Sequence, residues 1–364
     1  MRILYFSQGY SPHDQRFLNA LAGTENEIFF LRLEPEESIT LPGEVREVIL
    51  PGVQQALAKG KTAETVRQLS SVLKALHPDL VHAGPLHGPA YLAARTSFKP
   101  LVSMSWGSDL LKDADRSWLM RWRTAYILAK TTLLLGDCEA VAQKAVSFGF
   151  RRDNIRVFPW GVDLKHFAPG GSTALRRKLK WMKKTVFLSS RTMESLYGVD
   201  VIVRAFIEIA AKAPDARLLL FGRGSQEEML RQEIEAAGIG DRVYFGGFAN
   251  LDELPEVYNS ADVYISASHS DGTSVSLLEA LACGKPALVS DIPGNREWIQ
   301  PGVQGWLFKD ANVDDLAARM TFICEQGVDA QLALRARALA EARANWNKNF
   351  QVLLDAYDQA CESE

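Results

Sequence analysis

Two carboxylates, Asp271 and Glu279, bracket the small-residue run Gly272-Thr273-Ser274, which opens a helical pattern closed by Gly284-Lys285-Pro286. Small side chains let a ligand approach the backbone closely, and Thr273 or Ser274 can cap the helix. The N–H groups of a helix's first turn, Val275 among them, lack internal partners and carry the positive end of the helix dipole, so they cradle an anion. Asp271 precedes that cradle, and Glu279 lies about two turns inside it. An ordinary capped helix with a solvated Asp271 is the plainer reading of the same residues.

Other groups sit where strands should end. Ser189-Ser190-Arg191 closes one apolar run, and an arginine there reaches a pyrophosphate with planar, charge-assisted hydrogen bonds. Phe221-Gly222-Arg223-Gly224 continues as Ser225-Gln226-Glu227, so it lacks the third glycine and the acidic partner of a dinucleotide fingerprint. It reads as a tight turn, either lining a nucleotide pocket or purely structural. Asn295 and Glu297 follow another strand, either as hydrogen-bonding groups for a ligand's hydroxyls or as parts of a capped loop before Trp298. In the first half, Gly9, His13, His82, His87, Trp106 and Asp109 all lie at or just after strand ends. Each histidine has a plainer reading as a satisfied structural imidazole. The six histidines and unpaired cysteines give no zinc spacing. Asp109, Asp113 and Asp115 read as helix-cap and surface acids, so no metal is expected.

The elements that must position these groups alternate along nearly the whole chain. Strand-like runs are 2–7, 27–31, 80–82, 101–105, 131–135 and 155–158, then 185–189, 217–221, 243–245, 263–266 and 287–290. Amphipathic helical stretches lie between them at 15–22, 62–76, 88–96, 118–130 and 139–148, then 198–211, 226–237 and 254–260, with long helical patterns after Val313. Short buried strands separated by helices predict parallel sheets covered on both faces. Pro169-Gly170-Gly171-Ser172 has linker composition. The division expected is 1–165, 173–345 and a terminal helix 346–364 that crosses back to the first domain. Two doubly wound α/β domains would direct their strand C-termini towards a common cleft.

Composition narrows the classes. The 364 residues suit two domains, and 47% hydrophobic with 23% charged side chains is that of a globular protein. A net charge of −3 excludes a general nucleic-acid footprint. Cysteines 138, 283, 324 and 361 are scattered like reduced cytosolic thiols, which places the chain in the cytoplasm. The N-terminus reads as a buried strand rather than a signal peptide, and no apolar run approaches the ~20 residues of a membrane span. Residues 1–160 hold 19 basic against 16 acidic side chains, and the remainder 22 against 28. The basic and aromatic stretch Arg116–Lys130 allows weak peripheral contact at the inner face of a membrane, or equally a core-facing helix whose arginines snorkel.

The stretch from Asp271 to Pro286 resembles the signature of the retaining family-4 glycosyltransferases of GT-B fold (glycosyl transferases group 1): a Glu, seven residues, a second Glu, then Cys-Gly-x-Pro. Here Asp271 stands for the first Glu, and Ala282-Cys283-Gly284-Lys285-Pro286 follows Glu279. Phe158-Pro159-Trp160-Gly161-Val162-Asp163 with Phe167 resembles the family's interdomain motif. The resemblance implies two Rossmann-like domains, an N-terminal acceptor domain and a C-terminal nucleotide-sugar donor domain. It also implies a hexosyltransferase-type activity in glycan, polysaccharide or glycolipid synthesis, without a cofactor. Ser190, Arg191, Gly222, Arg223, Asp271, Gly272, Thr273, Ser274, Val275 and Glu279 would then bind the donor, with Glu279 on the ribose and Asp271 on the transferred sugar. Catalysis would fall to Asp271, Arg191 and His82. Gly9, His13, His87, Trp106 and Asp109 would face a sugar, lipid-linked or small-molecule acceptor. The chain departs from the pattern where Tyr197 replaces a Lys, where Trp106-Gly107 replaces His-Gly, and where only Gly9 remains of a glycine-rich loop. The missing Lys and His keep open a rival of another class, a catalytically silent GT-B protein that binds a partner transferase or a sugar ligand. A second rival is another enzyme on the same scaffold, a nucleotide-sugar epimerase or a sugar phosphorylase, although an epimerase would lack the Asp271/Glu279 pair at this spacing.

Overall fold

The computed structural model describes residues 1–34, 39–170 and 174–363. Gly171 and Ser172 of the expected linker lie outside the described residues. The backbone divides into two units, Met1–Phe158 with Phe350–Glu364, and Pro159–Asn349.

The first unit holds β1 (Arg2–Ser7), β2 (Glu27–Arg32), β3 (Arg46–Val48), β4 (Leu80–Ala83), β5 (Leu101–Met104), β6 (Leu133–Gly136) and β7 (Ile155–Val157). They form one sheet in the order β3-β2-β1-β4-β5-β6-β7, and every pairing is parallel. Residues alternate between faces, as the two-residue strand period requires. Leu4 and Phe6 of β1 join one large buried cluster. Tyr5 turns the other way, its ring 6.4 Å from Phe17 and 6.1 Å from Phe30. Burial on both faces explains why the strands read as continuous apolar runs. The C-terminal helix Trp346–Glu362 adds Leu353, Ala356, Tyr357 and Ala360 as buried residues, all within this unit.

The second unit holds β8 (Thr185–Ser189), β9 (Ala216–Phe221), β10 (Val243–Gly247), β11 (Val263–Ser266), β12 (Ala287–Ser290) and β13 (Gly305–Phe308), in the order β10-β9-β8-β11-β12-β13. It too is parallel throughout. Phe187 packs in one cluster, and Val186 and Leu188 in a second on the opposite face. Each such buried side chain contributes about 1.5–3 kcal/mol.

Three departures from the sequence expectation have local causes. β3 and β13 are unpredicted edge strands. Arg46-Glu47-Val48 is short and polar, and is held by the 2.7 Å Arg46–Glu27 pair; Gly305–Phe308 is a four-residue strand at the edge of the second unit's sheet. The first helix begins at Pro12 rather than residue 15, because Ser11 and Asp14 close a capping box around a proline at the first turn. The expected helix 88–96 is split, with a wide π-type turn over Leu86–Ala90 that contains Pro89 preceding Tyr91–Thr96.

Gly198, which begins the helix Val199–Ile209, takes φ +60°, and a Cβ there would stand 2.2 Å from the carbonyl oxygen of Ala267 beyond β11. Gly198→Ala should cost more than about 1–2 kcal/mol, the penalty of the left-handed conformation alone. Urea unfolding should show a lower midpoint with unchanged slope; an unchanged midpoint would contradict this packing.

Candidate functional site

In open parallel sheets ligands bind outside the strand C-termini where the strand order reverses. In the second unit that point lies between β8 and β11. β8 delivers Ser190 and Arg191, and β11 leads into the Asp271–Ser274 turn. The structure brings these together. The Arg191 guanidinium donates through Nη2 to Asp271 Oδ2 at 2.7 Å, and through Nη1 to Ser274 Oγ at 2.8 Å and Ser276 Oγ at 3.2 Å. Its flat face lies over Tyr197, 4.2 Å from the ring centroid. Tyr197 therefore supplies a cation–π surface at the position where the resemblance expects a second cation.

Ser274 Oγ also accepts from Leu277 N–H at 3.4 Å and caps the helix Val275–Ala282. One hydroxyl thus joins the guanidinium to the helix end. Leu278 N–H bonds to Ser274 O, which leaves the N–H groups of Val275 and Ser276 directed out of the helix beside Arg191. Thr273 does not cap. Its Oγ1 accepts from Trp298 Nε1 at 3.2 Å and fixes the turn from behind. Gly272 is held from the same side, since a Cβ on Gly294 would stand 2.2 Å from its carbonyl oxygen.

Arg191 and Asp271 are 12% and 18% exposed at their side chains. Burial raises the Asp271 pKa above the usual carboxylate range, and Arg191 opposes that shift. Burial also works against the Arg191 charge, but Asp271 and the surrounding tyrosines more than offset it and hold its pKa up. The pair is a preformed, largely desolvated ion pair at a helix N-terminus.

Glu279 is buried at 6% exposure. Its Oε2 accepts from the Tyr258 hydroxyl at 2.7 Å, and that hydroxyl lies 2.9 Å from Ser190 Oγ. Burial, with Glu279 beside it, raises the Tyr258 pKa well above its usual value. The phenol keeps its proton and donates to Glu279, so Ser190 donates to Tyr258. Sequence reading missed Tyr258, because an aromatic ending the helix Leu254–Asn259 looks like core; its hydroxyl, 21 residues from Glu279, was the only signal. Tyr264 was missed likewise, with its hydroxyl 2.7 Å from Ser276 Oγ.

Gly222 and Gly224 serve backbone packing. Cβ atoms there would stand 2.5 Å from Arg191 O and 2.3 Å from Met193 O, so the turn braces the Arg191 loop. Arg223 between them is exposed. Lys285 stands past the other end of the helix Val275–Ala282, half-buried, with Nζ 3.5 Å from Asn259 O, and so adds no charge at the cradle. Asn295 is spent as a loop staple, its amide donating to Ser290 O at 2.9 Å.

In the first unit the strand order reverses between β1 and β4. Asp109 is not a surface acid. It is 6% exposed and accepts from Leu86 N, Ser105 Oγ, Trp106 N and Leu110 N at 2.6–3.1 Å. Burial raises its pKa and these bonds oppose the shift. It ties the loop after β4 to the loop after β5. His87 Nε2 lies 2.9 Å from Asp109 O, with its pKa lowered by burial. The His13 ring meets Trp106 edge-on at 5.3 Å. Gly9 lies beside Glu34, whose Oε2 would be 3.7 Å from an added Cβ.

His82 requires a correction. It points to the face opposite Val81 and Ala83, is 1% exposed, and packs against Tyr5, Phe17 and Tyr357. Its Nδ1 is 2.6 Å from the Tyr357 hydroxyl, and burial pushes its pKa down to about 3. A sealed, neutral imidazole exchanges no proton with a substrate, so the catalytic expectation for it is withdrawn.

Two doubly wound parallel sheets, the second with an anion cradle at its switch point, define the GT-B class of fold. The family model for glycosyl transferases group 1 matches residues 172–352, and that for glycosyltransferase family 4 matches residues 15–166. Together they take in most of both units, and the chain belongs to this family. The D-inositol 3-phosphate glycosyltransferase of Acidothermus cellulolyticus is 30% identical over 247 residues, 65% of this chain and 55% of that protein. Its counterpart from Nocardiopsis dassonvillei is 28% identical over 78% of this chain and 71% of its own length. The chain thus aligns with little more than half of the first of these relatives. Among solved structures, Anabaena HepE in complex with UDP superposes with a TM-score of 0.78 at 18% identity, covering 99% of this chain and 100% of that one. The sucrose-phosphate synthase of Thermosynechococcus elongatus reaches 0.83 at 17% identity over the whole of both. At such identities the likeness establishes the fold.

A double-mutant cycle tests the central pair. Arg191→Ala alone leaves a buried carboxylate unpaired and should cost about 1–3 kcal/mol of stability. Asp271→Asn in the same chain should relieve part of that loss, with a coupling energy of about 0.5–3 kcal/mol. Strict additivity would show that the two side chains do not interact.

Proposed function

We propose that this chain is a retaining glycosyltransferase that moves a sugar from a nucleoside-diphosphate sugar to an acceptor hydroxyl. The observation that carries this reading is the convergence of Arg191, Asp271 and Ser274 at the mouth of the helix Val275–Ala282. A diphosphate fits there because the helix N–H groups and the guanidinium offer positive charge from two sides. Glu279, held by Tyr258, would accept the ribose hydroxyls. Gly272, Thr273 and Val275 would supply the close backbone approach, and Gly222 with exposed Arg223 would complete the donor side. The names of similar proteins support this donor class. The relatives are named as D-inositol 3-phosphate glycosyltransferases, and HepE is described in complex with UDP-glucose.

In the reaction, the bond from the anomeric carbon to the phosphate oxygen breaks and a bond to the acceptor oxygen forms. The acceptor proton passes to the departing phosphate on the same face of the sugar, which retains the configuration. Charge develops on the leaving diphosphate, and Arg191 with the Val275 and Ser276 N–H groups stabilises it there; preorganised electrostatics of this kind is usually the largest catalytic contribution. Asp271 orients the sugar hydroxyls while its ion pair keeps Arg191 in register. His13, His87 and Trp106, braced by Asp109, would form the acceptor side together with Gly9. The acceptor is a sugar, a lipid-linked saccharide or a small molecule.

Incubation with UDP-, GDP-, dTDP- and ADP-sugars should release nucleoside diphosphate from one of them, slowly without acceptor. Proton NMR of the transfer product should show the donor's anomeric configuration. Arg191→Lys keeps the charge but loses the planar fork, and should lower kcat by more than about tenfold with KM little changed. An inverted product would refute retention, and no turnover of any donor would favour a silent binding protein.

A further inference from the structure

The helix Trp118–Lys130 of the first unit presents two unlike faces. Thr124, Ile127 and Leu128 are buried beneath it. The outward line through 118, 122, 125 and 129 carries two tryptophans and two alanines, all exposed, where a solvated helix presents charge. Trp118 is 78% exposed, Trp122 56% and Leu119 between them 53%. Of the two sequence readings of this stretch, the core-facing helix holds for Thr124, Ile127 and Leu128 but not for the two tryptophans, which stay outside.

The exposed rings are organised. Trp122 stacks on Tyr126 at 5.7 Å with 19° between the planes, and Tyr126 meets Tyr91 edge-on at 6.3 Å. Arg123 covers the Tyr91 ring at 3.7 Å and donates to His87 O, so the platform is pinned to the loop after β4. The rim is basic. Lys112, Arg116, Arg121 and Arg95 are exposed, and Lys130 is half-buried. Of the acids beside it, Asp115 is engaged by both Lys144 and Arg121, and the Lys144 hydrogen bond lowers its pKa. That leaves Asp113 as the nearby acid outside these ion pairs, against four basic side chains, Arg95, Lys112, Arg116 and Lys130, that Asp115 does not engage.

This combination fits one occupant. Trp and Tyr rings, apolar in body and polar at one edge, are the side chains that settle at the headgroup level of a bilayer. A basic rim without carboxylates on the apolar line complements anionic headgroups. Among the described residues no helix is long and apolar enough to cross a membrane, so contact through this face is peripheral. We propose that the Trp118–Lys130 face docks on an anionic lipid surface, with Trp118, Leu119 and Trp122 at the headgroup boundary and Arg116, Arg121 and Lys112 against lipid phosphates. The proposal is independent of the transfer reaction, because none of these side chains belongs to the site assigned above.

Co-sedimentation of the full chain with vesicles tests it. The wild type should pellet with mixed phosphatidylcholine–phosphatidylglycerol vesicles and not with phosphatidylcholine alone, less so at physiological than at low salt. Trp118→Ser with Trp122→Ser should lower the bound fraction at least about tenfold, with melting temperature and nucleotide binding unchanged because both positions are exposed. Arg116→Glu with Arg121→Glu should abolish the preference for anionic vesicles. The proposal is overturned by an absence of vesicle binding at either salt, or by equal binding of the tryptophan double variant. It is also overturned if the face instead drives self-association without lipid, seen as wild-type dimers in sedimentation velocity that the tryptophan variant lacks.

Discussion

One cation organises the candidate site. Arg191 leaves β8 and bonds at once to the carboxylate before the helix Val275–Ala282, to the hydroxyl that caps it and to a hydroxyl in its first turn. Desolvating such a pair costs several kcal/mol per ion, and the attraction alone does not reliably recover it. The two serine hydroxyls and the Tyr197 face recover part of the rest. The result is a guanidinium fixed in orientation before any ligand arrives. A phosphate entering there meets charge that needs little reorganisation, which is the condition under which electrostatic stabilisation is largest.

Backbone proximity does the remaining positioning. Gly222 and Gly224 let the turn after β9 press on the Arg191 loop, and Gly294 lets the loop after β12 press on Gly272. Each contact is too close for a Cβ, so the cradle is held by main chain on both sides. Glu279 is set by a separate relay, Ser190 to Tyr258 to the carboxylate. Since Ser190 and Arg191 adjoin in sequence, one strand end places both the cation at the helix mouth and the hydroxyl that begins the relay to Glu279.

The alternation of apolar runs and helical periods made the two parallel sheets legible, because strands buried on both faces have no polar side to confuse them. Edge strands escaped. Arg46–Val48 has one half-buried side chain of three, and so carries no pattern. The ends of strands pointed to Arg191, Asp271 and Glu279 but not to the Arg191–Asp271 contact, which joins residues 80 apart, nor to the Tyr258 bond that holds Glu279. His82 was misjudged for a reason of parity: neighbouring residues on a strand face opposite ways, and only the packing of Tyr5, Phe17 and Tyr357 shows which face is sealed. Tyr258 was illegible because its function lies in one oxygen of an otherwise core-like side chain.

The account divides one ligand between two parts of one site: the cradle with Arg191 takes the diphosphate, and Glu279 takes the ribose. Calorimetric titration of wild type and Glu279→Ala with the nucleoside diphosphates and with inorganic pyrophosphate separates them. The account predicts that one nucleoside diphosphate binds the wild type more tightly than pyrophosphate does. It predicts that Glu279→Ala removes about 1.5–3 kcal/mol of that binding for each charged hydrogen bond lost, and that pyrophosphate affinity is the same in both proteins. Equal affinity of the two proteins for the preferred nucleoside diphosphate, or an equal loss for pyrophosphate, would contradict it.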